Sequence, residues 1–120
     1  MARILAVDDS RSIRDMISAI LTAEGHEVVS AEDGVDALDK ARHDVFDMVL
    51  SDINMPNMNG ISLISKLRRL PGYAYVPIVM VTTEDAEYRK NKAKTFGATG
   101  WLVKPFNPAR LINAVNKLTG

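Results

Sequence analysis

The sequence predicts an α/β domain built as a doubly wound, five-stranded parallel sheet with five helices. Three observations carry this. Short apolar runs alternate five times with longer segments of helical spacing, the pattern of βα units. The first, third and fourth runs are almost continuously apolar, as strands covered on both faces must be. The chain has 120 residues, enough to close one core and too few for two, so a single domain over residues 1–120 with no output domain is expected.

Ile4–Val7 is the first apolar run, stopped by Asp8 and Asp9. Ser10 then fits an N-cap for a helix with Ile13, Met16, Ile17, Ile20 and Leu21 on one face, ended by Gly25. A second strand follows at Glu27–Ala31. Asp33 caps a helix carrying Val35, Leu38 and Ala41. The third run is Val45–Leu50, followed by Ser51 and Asp52, and Asn54–Gly60 with its Pro56 is a loop. Ile61–Leu70 has helical spacing and Pro71-Gly72 ends it. Val76–Val81 is the fourth strand, closed by Thr82 and Thr83. Glu84–Phe96 reads as a helix with acid at its start and base further on, which suits the macrodipole, and Gly97 stops it. Trp101–Val103 is the last strand. Asn107 caps a final helix, with Pro108 in its first turn and Leu111, Ile112, Val115 and Leu118 on its apolar side.

Composition narrows the function. There is no Cys, which excludes a disulfide scaffold, a Cys-ligated zinc and thiol chemistry. No apolar run approaches a membrane span and no signal-peptide pattern opens the chain, so a cytoplasmic protein acting away from membranes is expected. The net charge is zero, which argues against general affinity for nucleic acid. The charge is polarised, however: residues 1–60 hold 5 basic and 12 acidic residues, residues 61–120 hold 10 basic and 3 acidic. Neither G-x-x-x-x-G-K-[ST] nor G-x-G-x-x-G is present.

In a parallel sheet all strands end on one edge, where ligands bind. Asp8 and Asp9 follow the first run, Asp52 the third, Thr82 and Thr83 the fourth, and Lys104 the fifth. Three carboxylates, two hydroxyls and an ammonium are thereby expected in one cleft. Clustered carboxylates repel and call for a cation. Hard oxygen ligands with no His or Cys favour Mg²⁺ or Mn²⁺, and few protein ligands suit Mg²⁺ beside a phosphate. An Asp next to such an ion and a Lys invites phosphoryl transfer through an acyl phosphate. The Asn54 carbonyl is a further candidate metal ligand.

At these residues the chain resembles the response-regulator receiver domains. Asp8-Asp9, Leu50–Pro56 around Asp52, Thr82 and Lys104-Pro105 carry the likeness, which spans essentially the whole chain. Asn54–Gly60 and Gly100–Phe106 make it most similar to the single-domain chemotaxis regulators of that family. The resemblance implies a flavodoxin-like sheet in the order 2-1-3-4-5. It also implies Asp52 as phosphoacceptor from a histidine kinase, with Mg²⁺ held by Asp8 (through water), Asp9, Asp52 and the Asn54 carbonyl. Thr82 and Lys104 would contact the phosphoryl group, and the Lys104–Pro105 peptide would be cis. Asn54 and Glu84 stand where the family tunes acyl-phosphate lifetime. Its implied partners are the kinase, the flagellar motor switch and a phosphatase, with the chain a monomer.

Two positions depart from the family pattern. Trp101 stands where the switch aromatic is usually Tyr or Phe, and Thr83 where a small residue is usual; Thr83 either narrows access to Asp52 or turns its methyl outward with little effect. Arg89, Lys90, Lys92 and Lys94 form one basic helix surface beside Trp101, read either as a solvated helix face or as a surface suited to an acidic amphipathic peptide. Lys66, Arg68 and Arg69 read as solvated charge, and Met55 and Met58 as flanks of the cleft open to docking. The alternative destination is a phosphorelay intermediate or phosphate sink. A phosphatase with an Asp nucleophile needs a second Asp two residues on, where Asn54 stands.

Overall fold

The computed structural model describes residues 1–120. In chain order the elements are β1 (Arg3–Val7), α1 (Arg11–Ala23), β2 (Glu27–Ala31), α2 (Gly34–His43) and β3 (Met48–Ser51), then α3 (Gly60–Arg68), β4 (Ile78–Thr82), α4 (Glu87–Thr95), β5 (Gly100–Val103) and α5 (Pro108–Thr119). The five strands pair in parallel in the order β2-β1-β3-β4-β5, as expected.

Side-chain alternation along the strands splits the core in two. Leu5, Val7, Val49, Ile78 and Met80 pack with Leu38 of α2, Ile64 and Leu67 of α3 and Ala93 of α4 on one face. Ile4, Ala6, Met48, Leu50, Val79 and Val81 pack with Ile17 and Leu21 of α1 and Leu111 and Val115 of α5 on the other. The central strands β3 and β4 are buried at every position, whereas the edge strands β2 and β5 are mostly half-buried. That difference explains why the first, third and fourth runs read most clearly as strands.

Four of the five helices start on a side-chain cap. Ser10, Asp33, Asn59 and Asn107 each accept a hydrogen bond from the backbone N–H three residues on. Gly25 takes φ +88° just past α1, the left-handed turn that stops the helix.

Several boundaries and faces differ from expectation. β3 begins at Met48, and Val45 is exposed. The chain is held before the strand by Phe46, which is buried. Val35 and Met16 are also exposed; on α2 the buried stripe is Ala37, Leu38 and Ala41. The α3 helix ends at Arg68, and α4 begins at Glu87 behind Ala86, which provides no side-chain cap. Residues 83–86 instead form a loop whose amides use other partners, described below.

Two polar devices, one buried and one half-buried, were not evident in the sequence. The Tyr73 ring is fully buried, its hydroxyl donating to Asp44 O at 2.6 Å and accepting from Phe46 N at 3.2 Å. Arg68 is not solvated charge. Its guanidinium donates to the carbonyls of Tyr73, Val76 and Gly97 at 2.7 Å each, joining the end of α3 to the approach of β4 and the turn after α4. Burial without a carboxylate partner holds its pKa below the ordinary arginine value.

Tyr73→Phe leaves the Phe46 N–H and the Asp44 carbonyl unpaired. A loss of about 1–3 kcal/mol in unfolding free energy is expected from denaturant titration; an unchanged midpoint would show that water replaces the hydroxyl.

Candidate functional site

Strand register assembles the site. Val7 of β1 stands opposite Ser51 of β3, so Asp8 and Asp52, each the next residue, leave the sheet side by side about 5 Å apart. Ser51 stands opposite Met80 of β4 and Thr82 opposite Val103 of β5, which brings Thr82 and Lys104 out on the same edge. Lys104 starts two strands from Asp52 and three from Asp8, and only a long side chain bridges that span.

Asp8 and Asp52 are buried, and Asp9 is exposed. Carboxylate oxygens of the three lie within 4.8 Å of one another. Each buried carboxylate is held at both oxygens. Asp8 Oδ1 accepts from Ser10 N at 2.9 Å and Oδ2 from Lys104 Nζ at 2.6 Å. Asp52 Oδ1 accepts from Ile53 N at 2.7 Å and Oδ2 from Lys104 Nζ at 3.2 Å. The Lys104 side chain is only 12% exposed. Burial alone would lower its pKa, but hydrogen bonding to Asp8 and the charges of Asp52 and Asp8 outweigh it and raise the pKa above 10.5. The Lys104–Pro105 peptide is cis, as expected.

Gly60 closes the floor of the loop. A Cβ there would run into the Asp52 carbonyl oxygen and come within 2.8 Å of Ile53 Cα, so only glycine lets α3 begin this close to the phosphoacceptor candidate. Its N–H donates to Ile53 O at 2.8 Å.

Thr82 is wholly buried. Its Oγ1 accepts from Glu84 N at 3.3 Å, which leaves the hydroxyl proton free for another acceptor. The Glu84 carbonyl in turn accepts from Trp101 Nε1 at 2.9 Å. Trp101 is half-buried and packs against the core on the α2–α4 face. Glu84 thus joins the Thr82 hydroxyl to the Trp101 indole through its two backbone groups, a link that residue types alone do not reveal. Thr83 is exposed at the end of β4, and Asn54 is exposed in the loop after β3.

The basic residues of α4 do not form one surface. Lys90 and Lys94 flank Trp101 beside β5, whereas Arg89 and Lys92 turn toward α3. Met55 and Met58 are half-buried, packed in part against the core.

With every acid ionised, three carboxylates and one ammonium leave two formal negative charges in the cleft. Each carboxylate pair at this spacing repels by about 3 kcal/mol at an effective dielectric near 20. One divalent cation restores balance, and a donor set of oxygens only fits Mg²⁺. The residues placed to hold it are Asp8, Asp9 and Asp52.

Comparison with known proteins agrees with this geometry. The response regulator receiver domain family matches residues 4–116. The chain belongs to that family. It is 39% identical to protein PilH of Pseudomonas aeruginosa over 116 residues, covering 97% of this chain and 96% of PilH. It is 38% identical to a chemotaxis protein CheY homologue of Campylobacter jejuni over 120 residues, covering 98% of this chain and 92% of the homologue. Among solved structures, Vibrio cholerae chemotaxis protein CheY4 superposes with a TM-score of 0.95 at 47% identity, covering 98% of both chains. The receiver domain of a sensor histidine kinase from Pseudomonas aeruginosa superposes with a TM-score of 0.92 at 27% identity, covering 99% of this chain and 98% of that one. That structure carries a magnesium ion coordinated in its active-site cleft. The chain is therefore a CheY-like signalling receiver, and no helix in it is long and apolar enough to cross a membrane.

Because the folded-state pKa of Lys104 is raised, the stability it contributes is complete below 10.5 and is lost as pH rises through the folded value. Metal-free Lys104→Met is expected to be less stable than wild type by about 3 kcal/mol at neutral pH. Urea midpoints of the two should differ by a constant amount from neutral pH up to that value and converge above it. Convergence on acidification alone would contradict the assignment.

Proposed function

We propose that this receiver works as a chemotaxis-type response regulator in the cytoplasm, as a monomer. Asp52 accepts a phosphoryl group from the phosphohistidine of a histidine kinase in a Mg²⁺-dependent reaction. The acyl phosphate then changes affinity for a protein partner such as the flagellar motor switch. A phosphatase is a further partner of the modified form. The carrying observation is the convergence of Asp8, Asp9, Asp52, Thr82 and Lys104 from four strand ends onto one cleft. The relatives named CheY, matched nearly end to end, support the pathway.

The chain's own residues supply most of the chemistry. The Ile53 amide fixes the rotamer of Asp52 by holding Oδ1. A carboxylate oxygen of Asp52 forms the new P–O bond while the P–N bond to the kinase imidazole breaks. The bonding electrons stay on that nitrogen, which takes up a proton. Asp9, Asp52 and the Asn54 carbonyl, with Asp8 through water, would hold Mg²⁺, which would neutralise charge on the phosphoryl oxygens. Lys104 pairs with one of those oxygens, and this draws the ammonium away from Asp8. Hydrolysis by water returns the carboxylate and inorganic phosphate; these are the only reactions the protein catalyses, on itself. Asn54 and Glu84 flank the route of that water and set the lifetime of the acyl phosphate.

Switching follows from the hydroxyl of Thr82. When its proton turns to the phosphoryl group, Oγ1 moves and the Glu84 N–H loses its acceptor. The Glu84 carbonyl holding Trp101 shifts with the loop, and the ring repacks. A tenfold change in active population needs about 1.4 kcal/mol, and one hydrogen bond to a charged group provides about 1.5–3 kcal/mol.

Incubation with Mg²⁺ and acetyl phosphate should add one phosphoryl mass to wild type and none to Asp52→Asn. Phosphoryl label retained in Asp52→Asn would overturn the acceptor assignment. The destination is read by loading the modified protein onto a motor-switch peptide and, separately, a histidine phosphotransferase: binding to the first supports the motor reading, and transfer to the second supports a relay.

A further inference from the structure

A second groove runs between α3 and α4, on the opposite side of α4 from Trp101. It encloses about 410 Å³. Residues of α3 spaced at Ser62, Ser65-Lys66 and Arg69 face residues of α4 spaced at Arg89, Lys92 and Phe96. Both spacings follow one helical stripe, so the trough is about 10 Å long.

Its charge is one-sided. Lys66, Arg69, Arg89 and Lys92 line it with no Asp or Glu among the lining residues. None of the four forms an ion pair within the chain, whereas Lys90, on the other side of α4, is paired with Asp85 at 2.6 Å and lies 4.0 Å from Glu87. Phe96 is 44% exposed at one end. Ile53 and Asn54, directly after Asp52, line the groove.

We propose that this groove binds an acidic peptide segment of a partner protein, its carboxylates pairing with the four cations and an apolar side chain resting on Phe96. Charge complementarity selects the occupant: four unpaired cations in facing rows match alternating Asp and Glu on an extended chain. The site is separate from the Trp101 surface. Because Ile53 and Asn54 form part of it, an occupant touches the loop that carries the phosphoacceptor candidate. The binding itself is a property of the unmodified protein and does not rest on phosphoryl transfer.

The probe is a fluorescein-labelled Asp-Glu-Leu-Asp-Glu-Phe peptide titrated into unmodified protein, read by anisotropy and by backbone amide shifts. Saturable, salt-sensitive binding is expected, with the largest shifts at Ser65, Lys66, Arg69, Arg89 and Lys92. The Arg69→Ser/Lys92→Ser variant should bind about tenfold more weakly. Lys90→Ser/Lys94→Ser removes equal charge from the other side of α4 and should stay within about twofold of wild type. Equal weakening in both variants means unspecific attraction and overturns the proposal. So does a shift pattern centred on Trp101, absence of saturable binding, the same groove shifts with inorganic phosphate alone, or the same shifts on concentrating the protein without peptide, which would make a second copy the occupant.

Discussion

One ammonium shared between two buried carboxylates is the constraint on which the rest of the site depends. Lys104 Nζ lies 2.6 Å from Asp8 and 3.2 Å from Asp52, and these residues come from strands separated in the sheet by β4 and by each other. The order β2-β1-β3-β4-β5 with all strands parallel lets residues 96 positions apart meet there. The other oxygen of each carboxylate is held by the amide of Ser10 or Ile53, so neither group can rotate away from its neighbour. Burying like charges costs free energy that the single Lys only partly offsets. The cleft is left short of positive charge, and that deficit supports the proposed cation binding and phosphoryl capture.

The same cleft is tied to the surface by a short path. Thr82 ends β4, its hydroxyl holds the Glu84 amide, and the Glu84 carbonyl holds the Trp101 ring. The loop between β4 and α4 is held besides by the Glu84 carboxylate, which accepts from Ala86 N at 3.2 Å, and by the Asp85–Lys90 ion pair at 2.6 Å. In the proposed function, a phosphoryl group that redirects the Thr82 hydroxyl would act on Trp101 through this path.

Much of this was legible in the sequence because parallel strands expose their ends. Apolar runs buried on both faces are easy to see, and the polar residue after each run is easy to place on the shared edge; Asp8, Asp52, Thr82 and Lys104 were all found that way. Edges and ends were less legible. Val45 looked like strand because it is apolar, yet it lies ahead of β3 and is exposed. Glu84 to Ala86 looked like the first turn of a helix, yet the Thr82 hydroxyl and the Glu84 carboxylate compete for the amides of Glu84 and Ala86 and keep them out of α4. Arg68 looked solvated because three basic residues fall close together. Its role depends on carbonyls of Tyr73, Val76 and Gly97, which tertiary packing brings within reach and local pattern does not. The split of the α4 cations into two faces likewise needed the position of α3.

The central claim is that Lys104 and a divalent cation share the Asp8 and Asp52 carboxylates, with Asp9 facing the cation alone. Calorimetric titration of Mg²⁺ into wild type, Lys104→Met and Asp9→Asn tests it most directly. The account predicts tighter binding by Lys104→Met, whose cleft carries one more uncompensated negative charge, and weaker binding by Asp9→Asn. Mg²⁺ affinity lowered by Lys104→Met, or left unaltered by both substitutions, would contradict it.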